Sequence, residues 1–248
     1  MRSFSRTLLS LALLFLSTDM VRAAGIDDAN AAVIAARNGK YDDAIHLFTS
    51  AILSDELNLT GRAQAYSYRG IAKATVGDYD GAQEDLDFSV ALDSPFNADA
   101  LAYRGYIELV TGQPQKAVAD LAKSASLKVW AYNALWLSLA RMKAGVADTG
   151  NFSLAMNAMM LNMNQWPGSV VQFLMGQGSP ADVNASATMG DPAKLVERVC
   201  DADFYVGEYH LAHGKAADAK PLLQRASEKC PFASFERMGA TAELMRLK

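Results

Sequence analysis

The stretches YRGIAKATVGDYDGAQEDLDFS (residues 68–89) and YRGYIELVTGQPQKAVADLAKS (residues 103–124) place the same residue types at the same spacing. Counting from Gly70 and Gly105, a second glycine follows at +7 (Gly77, Gly112), an alanine at +12 (Ala82, Ala117), a leucine at +16 (Leu86, Leu121) and a serine at +19 (Ser89, Ser124). Two further segments fit this frame. Ala32, Gly39, Ala44, Phe48 and Ala51 fill it towards the N-terminus, and Gly207, Gly214, Ala219, Leu223 and Ala226 towards the C-terminus. The order is always small, glycine, alanine, large apolar, small, and it is what a helical hairpin needs. The glycine turns the chain, because positive φ costs little only without a Cβ. The small residues let the two helix axes approach where they cross. The large apolar residue is expected to fill the gap to the next helix.

The first three turn glycines are 38 and 35 residues apart, close to the period of about 34 residues of a tetratricopeptide array. The pattern resembles such an array. It predicts an all-α, tetratricopeptide-type solenoid of antiparallel helix hairpins. The tyrosine that commonly follows the turn is present as Tyr41 and Tyr79, and is replaced by Pro114 and Ala216 in the other two repeats.

Outside the repeats, the chain opens on Arg2 and Arg6, an apolar run over 8–16 and then Val21-Arg22-Ala23-Ala24. This order of basic, apolar and small residues predicts a signal peptide over residues 1–23, cut between Ala23 and Ala24. The cut removes three arginines and one aspartate, taking the net charge from −4 to −6. The apolar run is too short for a transmembrane helix, and no cysteine precedes Cys200 to carry lipid. The expectation is a periplasmic protein with no stable membrane insertion. An acidic balance argues against nucleic acid as a partner.

Residues 24–127 are expected to hold three hairpins, 128–198 an irregular helical segment, and 199–248 a last hairpin with a capping helix. In the middle, Trp130 to Ala144 reads as a first helix stopped by Gly145, without a clean second helix after it. Ser179-Pro180-Ala181-Asp182 reads as a capped helix start, and the last repeat's first helix is expected to begin early, near Pro192. A helix over 234–247 would cover the apolar face that a terminal repeat leaves open.

Three landmarks are more specific. They are the run from Tyr132 to Ala140, Gln165-Trp166-Pro167 followed by Phe173 and Gly176, and the run from Phe204 to Tyr209 leading to Glu236 and Glu243-Leu244. Their order and spacing resemble the NlpI-type tetratricopeptide lipoproteins of the Gram-negative envelope. That resemblance implies a protein, often homodimeric, without catalysis of its own. It implies an adaptor that brings together envelope enzymes such as peptidoglycan hydrolases and a protease. The second expectation is an assembly or regulatory factor for an envelope secretion or pilus machine. The missing lipid-attachment cysteine departs from the family.

Catalytic and metal chemistry find little support. Gly-x-Ser-x-Gly and Gly-x-x-x-x-Gly-Lys motifs are absent. His210 and His213 read as residues of a helix end. No cofactor is expected. The repeat frame puts Ser67, Tyr68, Ile71, Ala102, Tyr103 and Tyr106 on the concave face, none of them basic or an amide. A groove of Tyr68, Ile71, Tyr103 and Tyr106 is therefore the expected partner site, suited to apolar or aromatic segments. Cys200 and Cys230 fall at adjacent ends of the last hairpin and are expected to form a disulfide. The methionine-rich stretch 156–163 reads first as core filling, with a contact surface as the alternative.

Overall fold

The computed structural model describes residues 24–150 and 152–248. The leader expected over residues 1–23 lies outside the described residues. The chain forms thirteen α-helices among the described residues: α1 (Ala24–Arg37), α2 (Tyr41–Leu53), α3 (Leu59–Thr75), α4 (Tyr79–Ala91), α5 (Asn97–Val110), α6 (Pro114–Leu127), α7 (Ala131–Ala144), α8 (Leu154–Ala158), α9 (Gly168–Leu174), α10 (Pro180–Ala187), α11 (Leu195–Ala212), α12 (Ala216–Lys229) and α13 (Phe235–Arg246). It is a tetratricopeptide-type all-α solenoid.

Local sequence chemistry sets the ends of these helices. Asn58, Asp78, Ser153, Ser179 and Ser234 each accept a hydrogen bond from a first-turn backbone N–H of the helix they open, and Ser179 with Asp182 completes a capping box. The four repeat turns bend at Gly39, Gly77, Gly112 and Gly214, with φ between 71° and 93°. Each turn joins a tightly packed pair: α1/α2, α3/α4, α5/α6 and α11/α12.

Within three of the pairs, the large apolar residue packs on the glycine of its own hairpin. A Cβ at Gly105 would stand 2.7 Å from Leu121 Cγ, and one at Gly207 would stand 2.9 Å from Leu223. In these hairpins the crossing therefore exists because one helix has no side chain there. A second link is polar. Arg69 grips Asp85 with Nε and Nη2 at 2.8 and 2.6 Å, and its Nη1 reaches Thr49 of the preceding hairpin at 3.0 Å. Arg104 repeats this with Asp120 inside its hairpin and Asp87 of the previous one. Ser89 and Ser124 donate to the carbonyls of Ala63 and Ala98 on their partner helices, at 2.7 and 2.6 Å. A serine at +19 is thus a tie as well as a small residue.

The helix α7 stacks on α6 as a first helix would. Its second helix is replaced by α8, α9 and α10, which bridge α7 to α11. Asp148 fixes the loop that starts this bridge, accepting from Arg141, Ser138 and the Leu154 N–H. The three landmark stretches meet here. Asp201 accepts from Tyr132 Oη at 2.7 Å and from Trp166 Nε1 at 2.9 Å. Phe173 packs on Tyr209 and Trp136 on Phe204, with ring centroids 4.5 and 5.3 Å apart. Met156, Met159 and Met160 lie exposed, 50–82%, so the core-filling reading of that stretch fails for these three. Only Met163 among them packs partly against the core. The bulky core around them is supplied by Trp136, Phe204 and Tyr205 instead.

Cys200 and Cys230 are joined, with Cα atoms 5.0 Å apart, and staple the ends of α11 and α12. The helix α13 covers α12 and α11 as a cap, but it also turns back across the concave side. Arg246 Nη2 donates to the Val110 carbonyl of α5 at 2.6 Å, 136 residues away in sequence.

Replacing Gly105 with alanine is expected to lower stability. The gain in helix propensity is about 1 kcal/mol. It is outweighed by overpacking against Leu121, which costs ~1–3 kcal/mol. Urea unfolding checks this, and adding Leu121→Ala should remove the clash but not restore wild-type stability, because a cavity replaces it.

Candidate functional site: the concave groove

The first helices of the hairpins line the concave side, and their tyrosines form a row of touching rings with Phe48 of α2 and Phe96, which precedes α5. Phe48 meets Tyr68 at 6.2 Å, Tyr68 meets Phe96 at 5.9 Å and Tyr103 at 6.5 Å, and Tyr103 meets Tyr106 at 6.4 Å. The segment leading into α13 crosses this surface. Phe232 stacks on Tyr41 at 5.5 Å, and Phe235 stacks on Tyr103 at 5.9 Å and meets Tyr106 edge-on at 4.8 Å.

The four residues expected in the groove are thereby divided. Tyr68, Ile71 and Tyr103 are partly exposed. Tyr106 is 2% exposed, closed in by Phe235 and Trp136, and is not available as a surface anchor. Its assignment to the groove is corrected. The frame placed it on the concave face, but the chain's own last helix occupies that half. The open half lies around Tyr68. A cavity of about 400 Å³ on one side of it is walled by Ile26, Val33, Phe48 and Leu57, with Asn30 and Gln64 as polar points. Another of about 370 Å³ on the other side includes Ile71, Tyr41 and Ala233. These walls are mainly apolar, with Arg37 and Glu56 as the charged residues at their edges.

The polar anchors of α13 were not identified from the sequence as a site. Lys143 of α7 holds Glu208 of α11 at 2.7 Å and Glu243 of α13 at 2.9 Å, and Arg246 also pairs with Glu243. Burial pushes Glu208 up to about 7, against the pull of Lys143. Burial opposes the charge on Lys143, but the two carboxylates raise its pKa overall. One helix turn from these, Gly239 lets α13 close on Phe204 and Trp136, where an added Cβ would stand 2.7 and 3.4 Å away. A glycine beside two acids on one face of a terminal helix was the available signal.

At the start of α13, Glu236 is buried and takes Trp136 Nε1 at 3.4 Å and Tyr205 Oη at 3.3 Å. Burial, with Asp201 nearby, pushes it up to about 7. Asp201 is pushed up to about 6, also first by burial. Elsewhere, His213 closes the end of α11 with Nδ1 2.7 Å from the Tyr209 carbonyl, and no group of three or more metal-ligating side chains comes together among the described residues.

A family model for the tetratricopeptide repeat matches residues 68–127. The match runs from the end of α3 through α4, α5 and α6, the span that holds the two most alike repeats. Repeats of this kind are protein-interaction scaffolds, typically without catalysis. No described helix is long and apolar enough to cross a membrane.

Two outcomes follow from this geometry. Tyr106→Ala is expected to cost ~3 kcal/mol or more in urea unfolding, as large-to-small core changes do, whereas Tyr68→Ala costs much less. Glu236 binds its proton more tightly folded than unfolded, where its value is 4.5. Its contribution is therefore full below about pH 4.5 and is lost as pH rises through 7. Glu236→Gln should raise stability at pH 8, on the order of 3 kcal/mol, and change it little at pH 4.5. Denaturant unfolding of both proteins at the two pH values measures this.

Proposed function

We propose that the protein is an exported, non-enzymatic adaptor of the cell envelope that binds partner proteins in the open half of its concave groove. The observation that carries the reading is the apolar surface around Tyr68 and Ile71, flanked by two cavities on a repeat scaffold. Aromatic anchors in such concavities supply most of the energy of an interface. The joined Cys200 and Cys230 support an oxidising compartment such as the periplasm, in line with the leader composition. The resemblance to NlpI-type proteins supports envelope enzymes, hydrolases and a protease, as the partners brought together. Exposed Met156, Met159 and Met160 offer an adaptable apolar surface, which supports pairing with a second copy.

A photo-crosslinking residue placed at position 71 of the periplasmic protein is expected to capture a hydrolase or protease, identified by mass spectrometry. Tyr68→Ala should reduce that capture at least several-fold, with little dependence on salt because the groove carries few charges. Capture of a secretion-channel or pilus component would favour the assembly-factor role. Capture that persists in Tyr68→Ala but fails at 0.5 M salt would place the partner on an acidic surface and overturn the groove reading.

A further inference from the structure

Eight carboxylates are buried in the described chain. Five hold an ion pair: Asp85, Asp120, Asp203, Glu208 and Glu243. Glu108 has Arg104 and Lys116 close enough to act on it. Asp201 and Glu236 are different. Asp201 is close enough to act on Glu236, and no lysine, arginine or histidine among the described residues forms an ion pair with either. Two neighbouring buried carboxyls without a cation are an incomplete arrangement, because a buried charge is costly unless it is paired.

These two carboxyls line a cavity of about 380 Å³ between α7, α11 and the start of α13, which shares only Ala233 with the groove cavities beside Tyr68. Trp130, Tyr132, Trp136 and Phe235 supply aromatic walls. Both hydrogen bonds to Asp201 fall on Oδ2, so Oδ1 keeps its acceptor capacity. The bonds to Glu236 are long, at 3.3 and 3.4 Å. Tyr106, 2% exposed, is also a wall residue, and its buried hydroxyl has no hydrogen-bond partner. A buried hydroxyl without a partner costs about 1–3 kcal/mol, and a ligand in the cavity would supply one. The rim, formed by Trp130 and Glu197, is open to solvent.

The nearest positive charges stay at the rim. Lys194 sits 3.4 Å from Glu197, and Lys128 is 2.8 Å from Asp99 with its Nζ 6.0 Å from the centre of the Trp130 ring, so neither reaches Asp201 or Glu236. Arg237 turns its guanidinium to the Cys230 carbonyl at 3.0 Å and the Phe232 ring at 5.1 Å. Arg198 is bound to the carbonyls of Ala187 and Asp191.

We propose that this cavity binds an organic cation, an alkylammonium or guanidinium group, between its aromatic walls and against Asp201 and Glu236. Aromatic faces attract such cations and carboxylates neutralise them. Glu197 also lines the cavity, but no three metal-ligating side chains come together among the described residues, and the aromatic walls suit an organic cation. The volume suits a side chain or a small amine. The two sources of that chemistry are a basic residue presented by a partner protein and a free amine. The site does not depend on the groove reading, since a small cation tests it without any partner.

Occupancy is also linked to protons. Tyr132, Glu197 and the Trp166 N–H face Asp201, and Tyr106, Tyr205 and the Trp136 N–H face Glu236; none supplies a positive charge. With Asp201 raised to about 6 and Glu236 to about 7, both are partly protonated in the empty site at mildly acid pH. A cation favours the ionised forms, so binding releases protons and tightens as pH rises from 5.5 to 8.

The test titrates the intact disulfide-bonded protein with Nα-acetyl-lysine methylamide, Nα-acetyl-arginine methylamide, butylammonium and the uncharged norleucine analogue, by calorimetry and tryptophan fluorescence. Cations are expected to bind at least tenfold more tightly than the uncharged analogue, and more tightly at pH 8 than at pH 5.5. Asp201→Asn and Trp130→Ala should each weaken them at least tenfold. Trp130 is on the rim, so its variant keeps the fold if Asp201→Asn does not, and circular dichroism checks both. Tighter binding of the capped residues than of butylammonium assigns the site to a partner's basic side chain, and the reverse assigns it to a free amine. No binding, equal binding of the uncharged analogue, or affinity unchanged in Trp130→Ala overturns the proposal.

Discussion

Two helices cross closely in each hairpin because one of them carries little or no side chain at the crossing: Ala32 in the first hairpin and glycine in the other three. Gly70, Gly105 and Gly207 provide that gap, and Leu86, Leu121 and Leu223 fill it from the facing helix. The other features of the repeat follow from this contact. The turn glycine lies one helical stretch away because the chain must reverse before the leucine can return. The +19 residue is small because it faces the first helix again, and in two repeats it is a serine that also satisfies a carbonyl. The arginine beside the glycine binds its own hairpin and the one before it, so the crossing sets the stacking as well.

The repeats were legible because each of their contacts is local and recurs at fixed offsets. The helix starts at Ser179 and Ser234 were legible for a similar reason, since a cap is written within four residues. The position of α13 was not. Its contacts with Val110, Tyr103 and Tyr106 join residues more than a hundred positions apart and occur once. No period marks them. For that reason Tyr106 looked equivalent to Tyr68, while in the folded chain one is core and the other borders open cavities. The exposed methionines show the same limit. Their composition fitted a filler of irregular cores, but the aromatic landmarks had already filled that space.

The landmarks themselves have a common physical purpose. Tyr132, Trp166 and Asp201 come from three separate stretches and meet in one hydrogen-bonded group, which holds the segment where the repeat lacks its second helix. Aromatic rings continue from there through Trp136 to Tyr106 and Phe235. The same rings that replace a missing helix therefore also wall the cavity between Asp201 and Glu236. Structure and recognition draw on one set of side chains.

An open solenoid is close to one-dimensional: each repeat touches only its neighbours, and it can fray from an end without disturbing the middle. The contact of Arg246 with the Val110 carbonyl removes that freedom. It makes the last turn of the chain a neighbour of the third hairpin, so loosening the C-terminus exposes the centre of the array. The expected consequence is that the C-terminal end is no longer a cheap first step for unfolding. Such a fold is slower to assemble, because distant segments must be brought together before the contact repays them.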